Sequence, residues 1–175
     1  MGENEQMVTA YLALGSNLDE RMTHLQQAIA LLKKDLTITK ASSIYETAPM
    51  YVENQPPFYN AAIAAETDLS PTNLLKLLKR TEKEVGRQQR ERYGPREVDL
   101  DLIAYGVLQY RYLSNNRLVL QLPHPKTGER RFVLQPLADI ILELTLPGIG
   151  KIEQLLQNTK DQEKDIRRID AVLSI

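Results

Sequence analysis

Asp99 and Asp101 stand two residues apart in YGPREVDLDLIAYG, residues 93–106, where Val98, Leu100, Leu102 and Ala104 alternate with Asp99, Asp101, Ile103 and Tyr105. Such alternation predicts a half-buried strand with both carboxylates on one face, about 6.6 Å apart along the backbone. Two carboxylates on a partly dry face repel, and one takes up a proton unless cations compensate. Those cations can be arginines or metal. Hard oxygen donors with no histidine or cysteine nearby favour magnesium, which keeps waters and shares substrate phosphates. Two ions ~3.5–4 Å apart could be bridged by the pair and a polyphosphate. A solvated face whose aspartates pair with arginines is the plainer alternative, and D-x-D alone does not separate the two.

The preceding residues add cations. Lys79, Arg80, Lys83, Arg87, Arg90, Arg92 and Arg96 outnumber Glu82, Glu84 and Glu91 over residues 79–96, in a chain whose net charge is −1. A local cluster in a near-neutral chain suggests a focused anion site rather than a polyanion track. Arginine forks bind phosphate oxygens in bidentate fashion, and a loop can bring them in once the anion is bound. Carboxylates beside a loop of arginines suit phosphoryl-type transfer, which needs positioning and charge neutralisation more than a covalent nucleophile. A solvated charged loop is again the alternative. Gly15-Ser16-Asn17 is a turn, too short to cradle a triphosphate as G-x-x-x-x-G-K-[ST] does. His24 falls in a helix and reads as a surface residue. His124 lies between prolines, ahead of Lys126, Arg130 and Arg131, and is a candidate phosphate donor.

The 175 residues suffice for one domain with a sizeable core, at 42% hydrophobic and 26% charged. With no cysteine there is no disulfide framework, thiol nucleophile or cysteine zinc site. No apolar run approaches the ~18 residues of a membrane span. The acidic, polar start MGENEQMV does not read as a secretory signal. The expectation is a cytoplasmic protein, monomer or homodimer, that takes small-molecule partners and neither nucleic acid nor membrane.

The elements that must hold the aspartates follow from pattern. Residues 8–14 read as an apolar strand, 19–34 as a helix with Met22, Leu25, Ile29 and Leu32 in register, and 36–45 as a second strand. Residues 46–57, with three prolines, read as a loop, and 58–67 (FYNAAIAAET) as a third, almost uniformly apolar strand. Ser70-Pro71 opens a second helix with Leu74, Leu78 and Val85 as its buried stripe and Gly86 as its stop. Residues 87–97 form a loop before the aspartate strand. A small hairpin turning at Gly106, an extended piece at 118–122, helices near 132–140 and 152–158, and an extended tail complete the chain. The order strand, helix, strand, strand, helix, strand predicts an α+β, ferredoxin-like two-layer sandwich. Its mostly antiparallel sheet would carry two main helices on one face and leave the other for loops and ligands.

ALGSN, SSIYET, QPPFYNAA, RYGPREVDLDL and LPHP…RRFVLQPL occur in that order. Together they resemble the 6-hydroxymethyl-7,8-dihydropterin pyrophosphokinases of folate biosynthesis, over about residues 8–146, and R-[WY]-G-P-R-x-x-D-x-D is a highly specific signature. The resemblance implies the ferredoxin-like sandwich and transfer of the β,γ-diphosphate of ATP to the pterin's hydroxymethyl group, releasing AMP. It implies that Asp99 and Asp101 hold two Mg2+ ions and that Arg87 and Arg96 are catalytic. At the co-substrate ATP it places Glu82, Arg87, Arg92, Leu102, Arg117, His124 and Arg130. At the pterin it places Thr47, Ala48, Pro49 and Met50 by their backbone, Asn60 at the polar edge, Phe58 and Tyr93 as aromatic neighbours, Phe132 as the stacking ring, and Asp99 near the hydroxymethyl group. A planar polar bicycle suits an aromatic surface with amide and backbone groups at its rim.

The chain departs from that family at several positions. Tyr93 stands where tryptophan is usual, and Tyr51 replaces a usual glycine. Gln89 or Arg90 meets the middle basic position of GRQQRER, and RLVLQLPHP is longer than the common form. The rival expectation, from a different class, is a ferredoxin-like module that binds an anionic metabolite without catalysis. It gains nothing from two carboxylates inside its site. An RNA-binding module of the same topology would need exposed aromatic and basic residues on its central strands, and FYNAAIAAET and VDLDLIAY do not supply that pattern.

Overall fold

The computed structural model describes residues 6–51, 54–90 and 93–175. It is an α+β structure whose sheets are antiparallel throughout their described pairings. Strands β1 (Val8–Ser16), β2 (Thr37–Ala41), β3 (Ser43–Thr47), β4 (Phe58–Thr67), β5 (Asp99–Tyr105) and β10 (Ile166–Val172) make a six-stranded sheet of order β10-β3-β4-β1-β5, with β2 also on β4. Helices α1 (Arg21–Leu32) and α2 (Pro71–Val85) cover one face. Helices α3 (Arg131–Ile141) and α4 (Ile152–Asn158) pack on the other.

Strand alternation decides what each face receives. Leu12 and Leu14 of β1 and Ile63 and Ala65 of β4 meet Leu25, Ile29, Leu74 and Leu78 of α1 and α2. Tyr11, Ala62, Ala64 and Ile103 meet Val133, Leu134 and Leu137 of α3. The expected two-layer sandwich is therefore incomplete, because α3 and α4 add a layer over part of the second face. The uniformly apolar β4 already carried that signal, since a strand buried on both sides does not alternate.

Local chemistry sets the helix ends. Ser70 caps α2 by accepting from the Asn73 N–H at 3.3 Å, Pro71 fills its first position, and Gly86 ends it at φ 110°. Three expectations are corrected. The strand expected over 36–45 is broken at Ser42, whose Oγ accepts from the Ala62 N–H at 2.8 Å, so that two strands follow one path along β4. Thr47, placed in the loop, ends β3. Gly106 does turn the chain, at φ 52°, but the hairpin closes later, between β6 (Tyr110–Ser114) and β7 (Arg117–Leu122). Its corner is Asn115-Asn116, both at positive φ, a conformation asparagine tolerates. Strands β8 (Thr145–Leu146) and β9 (Gly150–Lys151) form a minor ribbon. The tail becomes β10 and pairs with β3, Ile166 opposite Thr47.

Leu12 is fully buried at the centre of the sheet. Leu12→Ala is expected to lower unfolding stability by about 2–5 kcal/mol, read as a lower urea midpoint at unchanged slope.

Candidate functional site

The aspartates lie on the sheet's edge strand. β5 has β1 on one side only, so alternate backbone groups point outward without a strand partner. Side chains supply the partners. Glu82 Oε1 accepts the Leu100 N–H at 2.8 Å, Lys79 Nζ donates to the Leu100 carbonyl at 3.2 Å, and the His124 N–H donates to the Ile103 carbonyl at 2.8 Å. The last turns of α2 and the His124 loop are thus fastened to the strand that carries the site.

Glu82, only 4% exposed, is a junction. Its carboxylate pairs with Lys79 Nζ at 2.8 Å and Arg87 Nη1 at 2.6 Å, and the same Arg87 nitrogen reaches Asp99 Oδ1 at 2.7 Å. Arg96 Nη1 donates to the other oxygen, Asp99 Oδ2, at 2.9 Å. Burial pushes the Asp99 carboxyl up, but Arg96, Arg87 and Lys79 outweigh it and hold it below the ordinary value. Asp101 goes the other way. Burial and then the charge of Asp99 raise it, against the pull of His124, Lys79 and Arg130. Its carboxylate takes no hydrogen bond or ion pair among the described residues, and it faces the cavity. Asp99 accepts one guanidinium bond at each oxygen and keeps further lone pairs, and its neighbour Asp101 is open to a hard cation. That donor set fits magnesium, which completes its shell with water and phosphate oxygens. No cluster of three or more acidic, histidine or cysteine ligands occurs among the described residues.

Opposite the aspartates the sheet presents small residues. Gly15 pairs with Asp99 on one side and Asn60 on the other, and Ala13 likewise with Asp101 and Ala62. Asn60 and Asp99 therefore sit in one row, about 10 Å apart across β1. A Cβ on Gly15 would lie 3.0 Å from Asn60 Oδ1 and 3.7 Å from Phe58 Cδ1, so glycine keeps the floor between them open.

Over this floor opens a cavity of about 570 Å³. One end is lined by Thr47, Ala48, Met50, Phe58, Asn60, Tyr93 and Phe132. Its other end is lined by Arg96, Asp99, Asp101, Leu102, His124 and Arg130. Asn60 Nδ2 donates to Thr47 Oγ1 at 2.6 Å, which fixes the amide's orientation. The Lys126 N–H donates to His124 Nδ1 at 3.3 Å, leaving the ring proton on Nε2, and burial keeps this imidazole's pKa below its usual value. Pro49 faces a smaller adjoining cavity of about 170 Å³, shared with Thr47, Ala48, Met50 and Phe132. Arg87 and Glu82 stand behind Asp99. Arg117, expected at the nucleotide, is exposed beside the hairpin turn and is not in the lining, where its neighbours Leu118, Val119, Leu120 and Gln121 are. Arg92 lies outside the described residues.

Sequence reasoning missed several residues here. Lys79 and Lys126 line the cavity and add positive charge to it. Asn17, 1% exposed, accepts from the Arg96 N–H at 2.9 Å and donates to Gln55 Oε1 at 3.0 Å and the Pro56 carbonyl at 3.1 Å. Gln55 in turn donates to the Tyr93 carbonyl at 3.0 Å. One buried asparagine thus ties both loops to the end of β1. The available signal was an asparagine directly after an apolar strand, read only as a turn. Arg131, adjacent to Arg130, points away from the cavity and donates to the Leu156 carbonyl at 2.7 Å near the end of α4.

The loop 87–97 is also closed on itself. Arg90 meets Glu97 through two bonds of 2.8 and 2.7 Å, and this pairing brings the Glu97 carboxyl down to about 2. Because the folded value is depressed, the pair's stability is complete above the unfolded value of ~4.3 and is lost as pH falls from there to about 2. The stability advantage of the native chain over Glu97→Gln, followed by urea midpoints from pH 7 to 3, is therefore expected to shrink on acidification, with its fall beginning near pH 5.

The sequence model of the family described as 7,8-dihydro-6-hydroxymethylpterin-pyrophosphokinase (HPPK) matches residues 11–142. A Bacillus subtilis protein named 2-amino-4-hydroxy-6-hydroxymethyldihydropteridine pyrophosphokinase is 45% identical over 133 residues, 75% of this chain and 77% of that one. The protein of the same name from Haemophilus influenzae is 36% identical over 159 residues, covering 90% and 96%. The folate synthesis bifunctional protein, mitochondrial, of Pisum sativum is 44% identical over 140 residues, and there the chain spans about a quarter of the relative's length, 26%. A solved HPPK-DHPS structure in complex with substrates superposes with a TM-score of 0.75 at 16% identity, over 94% of this chain and 47% of that one, a likeness of fold.

Proposed function

The chain belongs to the 7,8-dihydro-6-hydroxymethylpterin-pyrophosphokinase family, and from that premise we propose that it transfers the β,γ-diphosphate of ATP to the hydroxymethyl group of 6-hydroxymethyl-7,8-dihydropterin. AMP is the second product, and the step belongs to tetrahydrofolate biosynthesis. The observation that carries this reading is the shared row of Asn60, Gly15 and Asp99 on the cavity floor. An amide that can hold a heterocycle's edge and a carboxylate beside the phosphate end stand about one bicyclic ring apart.

In this reading Asp99 and Asp101 hold two Mg2+ ions, which when bound supply charge neutralisation to the triphosphate. Phe132 stacks on the pterin, Phe58 and Tyr93 flank it, Asn60 bonds its edge, and the backbone of residues 47–50 meets its rim. The hydroxymethyl oxygen attacks the β-phosphorus in line, its proton passes to Asp99 or to water, and the bond from that phosphorus to the AMP oxygen breaks. Arg87 and Arg96 each keep guanidinium donors beyond those engaged on Asp99, and these meet the charge that develops on the phosphates. His124 donates from Nε2, and Arg130 adds a fork. Leu102 lines the ATP side, Glu82 acts on it through Arg87, and Arg92 adds a further cation. The chain order strand, helix, strand, strand, helix, strand supports reading the fold as ferredoxin-like. The working protein is a cytoplasmic monomer or homodimer with small-molecule substrates.

Incubation with ATP, magnesium and the hydroxymethylpterin is expected to yield AMP. ADP would mean an ordinary kinase, and unchanged ATP would favour the non-catalytic anion-binding module. Asp101→Asn is expected to lower kcat by at least about a hundredfold with stability retained, since even outer-shell partners of metal ligands contribute 10–100-fold.

A further inference from the structure

Tyr51 sits at the rim of the cavity, 44% exposed, yet it is engaged on several sides. Its ring stacks on Tyr93 with centroids 4.5 Å apart and planes at 30°. Its phenol oxygen accepts from Arg130 Nε at 3.2 Å and from Nη2 at 3.1 Å. The Arg130 guanidinium lies 5.5 Å from the Tyr51 ring centre and 5.7 Å from that of Phe132, and Lys126 Nζ lies 5.7 Å from Tyr51. One side chain thus joins the segment after β3, the loop leading to β5 and the loop before α3.

Resting on the transfer proposed above, we infer that Tyr51 is a positioning residue that fixes Arg130 for the nucleotide phosphates and, with Tyr93, closes the outer wall of the pterin subsite. An arginine alone samples many rotamers. Two N–H bonds onto one oxygen, with the Tyr51 and Phe132 rings close by, leave it few, so less freedom is lost when a phosphate binds. The phenol oxygen accepts both bonds, which phenylalanine cannot. The stack also supports Tyr93, a bulky residue at φ 65°, a conformation such residues rarely adopt. The two halves of the role separate by substitution: the hydroxyl serves the nucleotide and the ring serves the acceptor wall.

The test uses the full chain and measures kcat and KM for each substrate from AMP formation, with urea midpoints to confirm that each variant folds. Tyr51→Phe is expected to raise KM for ATP about three- to tenfold, the net size of one ordinary hydrogen bond, and to leave KM for the pterin within about twofold. Tyr51→Gly is expected to raise both. In an Arg130→Ala background Tyr51→Phe is expected to add nothing further. The inference is overturned if Tyr51→Phe and Tyr51→Gly both leave the two constants unchanged, or if the Tyr51→Phe effect persists in full without Arg130. A separate readout covers failure of the transfer reading itself. The chain has no tryptophan, so Tyr51→Trp supplies a single indole. Saturable quenching by magnesium–ATP that Arg130→Ala weakens supports the placement even if no AMP forms, and an unresponsive indole sinks it.

Discussion

The structure depends on how an edge strand is held. β5 carries the site on one face and presents unpaired backbone groups along its free side. Glu82 and Lys79 take up the Leu100 amide and carbonyl, and the His124 amide takes up the Ile103 carbonyl. The groups that stop the edge from fraying also belong to the charge network of the site. Glu82 passes its charge to Arg87, Arg87 meets Asp99, and Arg96 closes on Asp99 from the other side. Strand anchoring and carboxylate neutralisation are one piece of chemistry.

From this follows the division between the two aspartates. Placed alike on one strand, they are made unlike by their neighbours: Asp99 is stabilised as an anion, and Asp101 is pushed toward protonation by burial and by Asp99 itself. A positive charge placed near Asp101 would relieve the strain that the second carboxylate creates. The small residues Gly15 and Ala13 on the neighbouring strand keep that face accessible, so a flat molecule can lie along the sheet with its reactive end toward the acids.

Much of this was legible in the chain. Alternation around Asp99 and Asp101 gave the strand and their shared face, Ser70-Pro71 and Gly86 gave the ends of α2, and the motif order gave the family. What the pattern did not give were pairings set by tertiary geometry. Asn17 reads as a turn residue, because its partners at Arg96, Gln55 and Pro56 are distant in sequence. Arg130 and Arg131 are adjacent and chemically alike, yet helix geometry sends one to the cavity and the other to the end of α4. Arg117 matched by motif and fell outside the lining, since the longer β7 brings its neighbours there instead. The second helical layer followed from burial on both sides of β4, a signal visible but not used.

The tail that becomes β10 gives the site a particular assembly order. β3, whose last residue is Thr47, borders β10, and the Ala48 amide donates to the Asp165 carbonyl at 3.1 Å. Arg167 also reaches back to Glu46 at 2.8 Å, a salt bridge spanning most of the chain's length. Contacts so far apart along the polymer close late, after nearer ones have reduced the search. During vectorial synthesis β5 and the guanidiniums on Asp99 can meet while Thr47 still lacks its outer neighbour, so the aspartate end of the cavity can form before the Thr47 end.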